Sequence, residues 1–141
     1  VSATLTITGL AELRAELQKL PADLKGEGKQ IVIATANGFA TTMRRKYLAH
    51  RRSGNLATTV YTAARDISYG GAYAVVTAAS RHAAPFEQGS DTRRTKKGWN
   101  RGRMPAADLF IPAAIAARRA MWGELADLVR RKGFTVSGDG S

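Results

Sequence analysis

Cysteine is absent from the 141 residues and histidine nearly so, with His50 and His82 alone. The first absence excludes a disulfide framework and any thiolate chemistry, and it fits a reducing compartment. The second leaves a transition-metal site short of ligands, so neither metal nor cofactor is expected. Acidic residues are scarce: 11 Asp+Glu stand against 22 Lys+Arg, a net charge of +11. No run approaches the roughly 18 apolar residues of a membrane span, and no membrane partner is expected. Val1 to Gly9 has neither the basic start nor the apolar block of a secretory leader. Enzyme signatures are missing as well, with no Gly-x-Ser-x-Gly elbow, phosphate-cradling glycine loop or His-Glu-x-x-His. His82 and Glu87 stand close enough in sequence for an acid–base pair, but a surface histidine beside a structural carboxylate explains them more simply. No catalysis is expected.

What is present supports one domain. A hydrophobic fraction of 44% is enough for a core in a chain of this size. The positive excess is unevenly placed. Residues 1–42 balance four cations against four carboxylates, so the surplus falls in three clusters, Arg44 to Arg52, Arg81 to Arg103 and Arg118 to Lys132. Clustered cations suit a polyanion or an acidic protein face, and equally a solvated surface.

Val1 to Ile7 alternates Leu5 and Ile7 with threonines, the pattern of a short strand or extended arm. Thr8 then caps a helix whose Leu10, Leu13, Leu17 and Leu20 share one face and need a partner surface, with Pro21 as its stop. A second helix is expected from about Gly28 to Ala49, its stripe being Val32, Ala36, Phe39, Met43 and Tyr47. Gly38 in its middle suggests a crowded contact, and Arg44, Arg45 and Lys46 suit its carbonyl end. Arg51 to Asn55 reads as a turn. Leu56–Ile67 and Ala72–Ala79 read as a hairpin about Tyr69-Gly70-Gly71. A last helix should begin near Pro112, bury Ile115, Trp122, Leu125 and Val129 with Met121 and Leu128 beside them, and stop at Gly133. The class expected is α+β: a small, largely antiparallel sheet packed by two N-terminal helices and one C-terminal helix, with a long basic loop. Residues 1–132 form the domain and 133–141 a flexible tail.

Functional interest centres on His82 to Ala113. The loop holds Arg93, Arg94, Lys96, Lys97, Arg101 and Arg103 against Asp91 alone, with Trp99 between Gly98 and Asn100. Cations interleaved with an aromatic suit phosphate contacts and base stacking, and equally an arm ordered by a neighbouring subunit. The loop's apolar base carries Pro85, Phe86, Glu87 and Gly89 before it and Pro105, Phe110 and Pro112 after it. Glu87 is expected to be partly buried and to accept backbone N–H bonds or an arginine, because an unpaired buried carboxylate is costly.

Four motifs occur in order: Thr8-Gly9-Leu10, Ser53-Gly54-Asn55-Leu56, Ala84-Pro85-Phe86-Glu87-Gln88-Gly89-Ser90, and Met104-Pro105-Ala106 with Phe110-Ile111-Pro112-Ala113. The set resembles the gene-ten-type tail-component family of long-tailed double-stranded-DNA bacteriophages, also described as tail-completion or head–tail joining proteins. Ala107-Asp108 stands where that family usually has Arg-Pro, Leu109 where it has Phe, and Ala49-His50 where Ala-Pro often precedes the turn. The resemblance implies a structural virion protein with no enzyme activity or cofactor. It implies a hexameric ring in the neck or at the head-proximal end of the tail, assembled in the host cytoplasm. Its implied partners are head-closure, tail-terminator or tail-tube proteins and DNA passing through the bore without sequence specificity. It allows a monomer when free. The competing expectation, from charge alone, is a free basic nucleic-acid-binding protein.

Overall fold

The computed structural model describes residues 22–50, 55–67 and 71–136. The expected N-terminal strand, the leucine helix with its Pro21 stop, Arg51 to Gly54, Tyr69-Gly70 and residues 137–141 lie outside them. The fold is α+β, with a two-stranded antiparallel sheet and long helices.

The organising element is α1, Ala22–Ala49. Ala36, Ala40, Met43 and Tyr47 are buried along one face, with Phe39 half-buried beside them, as a 3.6-residue period requires. The helix begins six residues earlier than its glycines suggest. Leu24 is buried in its first turn, and Gly28 lies under Leu125, which holds the helix together through weak helix formers. Gly38 marks no crowded contact: a methyl group built there would meet nothing within 4 Å. Arg44 turns away from the helix end and donates from Nε and Nη2 to the Val60 carbonyl at 3.1 and 2.7 Å.

Asn55–Thr58 forms a single helical turn, α2, where a strand was expected. The hydroxyls of Thr58 and Thr59 donate back to the Asn55 carbonyl, and that of Thr59 also to Leu56. Such local bonds compete with a ladder and delay the strand. The hairpin follows as β1, Val60–Ile67, and β2, Gly71–Ala78, with Val60 opposite Ala78 and Ile67 opposite Gly71. Val60, Ala74, Val76 and Ala78 lie on the face toward α1, whereas Tyr61, Tyr73 and Val75 are exposed on the other.

A short helix not expected from the sequence, α3, spans Ala83–Gln88, with Pro85 inside its first turn where no helical N–H is needed. The long C-terminal helix, α4, spans Phe110–Arg131 and starts two residues before Pro112 for the same reason. Its packed face runs through Phe110, Ala114, Ala117, Met121, Leu125 and Leu128. Ile115 and Trp122, expected in the core, are on the outside with Ile111, at 47, 55 and 65% exposure. Both apolar stripes have helical spacing, and the alanine-rich one wins because its small side chains let α4 lie close along α1.

The far ends of α1 and α4 are tied by Lys132, whose Nζ reaches Asp23 at 2.6 Å and Glu27 at 3.0 Å. These bonds raise the lysine's pKa above its ordinary value, Asp23 first, and Lys132 holds the Asp23 carboxyl below its own. Gly133, at φ 87°, ends α4: its N–H bonds Arg130 and that of Phe134 bonds Val129, the paired closure of a Schellman motif.

Candidate functional site

The site grows from Glu87. Its position on α3 places the carboxylate against the start of α4, where Oε2 accepts the N–H groups of Leu109 and Phe110 at 2.7 and 3.0 Å. Leu109 has no side chain that can cap the helix, so Glu87 caps it from 22 residues upstream. A carboxylate at this end also meets the positive pole of the helix dipole. The second oxygen accepts the hydroxyl proton of buried Tyr47 at 2.8 Å. Burial first, then the hydrogen bond to Glu87 and its negative charge, push the Tyr47 phenol well above its ordinary pKa of 10.0. One side chain thus joins α1, α3 and α4.

Around this anchor the loop base is pinned twice more. The Ala107 N–H donates to Phe86 and that of Asp108 to Glu87, at 2.9 and 3.2 Å. Phe86 packs edge-on to Tyr47 at 5.8 Å, and Phe110 edge-on to Phe39 at 5.0 Å. Gly89 is required on two counts. Its φ is +79°, and a β-carbon there would come within 2.9 Å of the Ala106 nitrogen and the Met104 oxygen. Pro105 is exposed between the paired Met104 and that contact, while Pro112 occupies the first turn of α4.

Beyond the base the basic segment is a backbone-paired ribbon rather than an irregular excursion. Ser90 and Met104 exchange N–H bonds at 2.9 and 3.2 Å, and Arg94 bridges Asn100. Between them Arg93 faces two residues, taking the Arg101 N–H on its carbonyl and donating its own to Gly102. This is a β-bulge, with Gly102 at φ 74° supplying the bend. The tip closes through Thr95, whose N–H donates to the Trp99 carbonyl and whose hydroxyl accepts the Trp99 N–H. Alternating turn-formers and β-formers make this possible: Gly98 and Gly102 take positive φ where the chain must bend.

All seven residues expected to contact a partner lie on this arm. Arg93, Arg94, Lys96, Lys97, Arg101 and Arg103 are exposed, and Trp99 is 73% exposed near the tip. Among the described residues none of these six cations pairs with a carboxylate. Arg93 and Arg101 face each other across the ribbon, a like-charge pair that weakens it. His82 and Glu87 are not brought together: His82 is exposed and accepts from Arg81 at 3.3 Å, while Glu87 is fully engaged elsewhere. Tyr47 is the site residue that the sequence pattern hid, because its helical spacing accounts for it as core. The available signal was chemical: a buried tyrosine hydroxyl needs a partner, and a lone apolar-flanked glutamate needs a donor.

Among the described residues no group of three or more His, Asp or Glu side chains is placed to hold a metal ion, and no helix is long and apolar enough to cross a membrane. Comparison with known protein families, with curated proteins and with solved structures finds no match to this chain.

Proposed function

We propose that the chain is a structural subunit of a bacteriophage neck or tail, acting in tail completion or head–tail joining as part of a ring around the DNA channel. The observation that supports this reading best is the arm: an exposed ribbon, anchored to the core by Glu87, that presents a tryptophan and six cations with no carboxylate partner among the described residues. A surface of this kind favours an anionic partner, either an acidic face of a neighbouring protein or phosphate in the channel. The outer stripe of α4, with Ile111, Ile115 and Trp122 exposed, offers a separate apolar contact of the sort a ring subunit needs. The ordered sequence motifs bring in the phage setting. Glu87, Gly89 and Phe110, which belong to them, build the arm's base, so motif and geometry coincide there.

Replacing residues 91–103 by a short glycine turn tests the role in the encoding phage. The expected result is normal head and tail yield with failed joining. Fully joined, infectious particles would rule out the arm as a joining element. The competing reading, a free nucleic-acid-binding protein, predicts duplex DNA binding without assembly partners. Its affinity would fall with salt by about 0.9 log units per log unit for each phosphate neutralised. Light-scattering mass with and without DNA at physiological salt separates the two, because a subunit that awaits its protein neighbours stays unbound.

A further inference from the structure

A groove of about 580 Å³ opens beside the arm's base, lined by described residues of α1, β2, α3 and α4. Val76, Ala84 and Ile111 stand on its sides, and the Tyr47–Glu87 hydrogen bond lies at its floor. Apolar walls with a few polar groups suit a single large side chain or a small ligand. Asp108 supplies the charge. It is exposed, lines the groove, and sits at φ 45°, in the left-handed region that aspartate and asparagine tolerate. Asp23, Glu27, Asp66 and Asp127 have lysine or arginine partners, and Glu87 is taken up by its hydrogen bonds. Asp108 has no cation beside it among the described residues.

The arm carries the complement, an aromatic between cations, with Lys96 and Lys97 before Trp99 and Arg101 after it. The indole, at 73% exposure, is seated in no pocket of its own chain. The ladder does not bring it back. From Ser90–Met104 to Arg94–Asn100 the paired strands run about 13 Å, with Trp99 beyond, while the groove lies behind the base at Gln88 and Ala106. We propose that Trp99 of one copy seats in this groove of a second copy, its ring against Val76, Ala84 and Ile111 and its flanking cations beside Asp108. A buried indole needs an acceptor for its N–H, which Asp108 or Gln88 provides. At a net charge of +11, most of a second copy repels the arm, so apolar walls beside an unpaired carboxylate are where it is best received. The contact joins unlike surfaces, so its repeats close into a ring or run on as a filament. This inference rests on the reading of the arm as a contact element and names a second copy as what it contacts.

Sedimentation of the full chain from about 10 μM to about 1 mM tests it. The wild type should associate at the upper end, and Trp99→Ala should do so about tenfold more weakly, as loss of an aromatic anchor requires. That side chain is exposed and only its backbone is bonded, so the fold is kept. Ile111→Lys, which sets a cation on an exposed wall of the groove, should weaken association as much. Asp108→Asn, which tolerates the same φ, should weaken it less and flatten its dependence on salt. The mixture decides. Trp99→Ala keeps its groove and Ile111→Lys keeps its arm, so together they should form a one-to-one dimer that neither makes alone. A wild type that stays monomeric at about 1 mM, a Trp99→Ala protein that associates like wild type, or a mixture without dimer would each overturn the proposal. So would Trp99 emission, followed in a Trp122→Phe background, that moves to shorter wavelength with duplex DNA and not with protein concentration. The joining assay stays separate: if purified copies never pair and arm-replaced phage still fails to join, the docking is overturned and the arm's role in joining stands.

Discussion

Replacing Glu87 by glutamine keeps the shape of the side chain and removes its charge. One amide oxygen cannot serve Leu109, Phe110 and Tyr47 together, and the new NH₂ group would face donors. Hydrogen bonds to a charged acceptor contribute about 1.5–3 kcal/mol each, so E87Q should cost about 2–3 kcal/mol in chemical denaturation, with Tyr61 and Trp122 behaving as in wild type until unfolding. Tyr47 gives the same anchor a pH signature. Its phenol pKa is raised in the folded state, so the folded chain holds its proton more tightly than the unfolded chain does. The stability this contributes is complete below the unfolded value, near 10, and is lost as pH rises above it. Thermal unfolding between pH 9 and 11 should therefore show a falling midpoint. Tyr47→Phe should flatten that fall while lowering the midpoint at neutral pH. A wild-type midpoint that is level across this range would contradict the burial and bonding assigned to Tyr47.

Among the elements, the clearest expectation concerns α1. Gly38 has open space where its β-carbon would stand, so Gly38→Ala should stabilise the protein by about 1 kcal/mol, read as a higher denaturation midpoint. The sequence suggested the opposite, and the reason is instructive: spacing shows which residues share a face, but a glycine has no side chain to report whether that face is covered. The periodic residues Ala36, Met43 and Tyr47 were legible because large and small apolar side chains recurred at one helical angle. On α4 the expectation holds for Met121, Leu125 and Leu128 and fails for Ile115 and Trp122, for a related reason. Ile115 and Trp122 carry a strong hydrophobic signal, while the packed side between Phe110 and Leu125 is made of Ala114, Ala117 and Met121. Close helix approach favours small groups, and no sum of hydrophobicity detects it. The hairpin was legible in β-branched and aromatic runs, but not the helical turn at Asn55, which threonine hydroxyls stabilise through bonds that only three dimensions reveal. At the arm, composition identified the cations and glycines, whereas the ladder that joins Ser90 to Met104 depends on pairing between residues fourteen apart.

At the scale of the whole molecule the arm carries six cations against Asp91, a large share of the net charge of +11, on one exposed ribbon. Such a surface trades stability of the free chain for attraction to a partner. Arg101→Glu would set a carboxylate across from Arg93 and turn a repulsive cross-strand pair into an attractive one. The variant should melt at a slightly higher temperature than wild type at low salt, with the gap closing as salt screens both pairs, yet bind its anionic partner less tightly. Calorimetry over a salt series, set beside a joining or binding assay, measures the two effects separately. A variant that is both less stable and equally competent would show that the two arginines do not oppose each other in solution. The closed pair at Ser90 and Met104 has one more consequence. Because this pair closes a base that Glu87, Gly89 and the bonds of Ala107 and Asp108 already hold, the length of the ribbon beyond it is not fixed by the core. Matched insertions, one residue on each strand, can lengthen the ribbon without moving Glu87 or Gly89. Descendants of one scaffold could thus be fitted to partners at different distances by tailoring a single appendage.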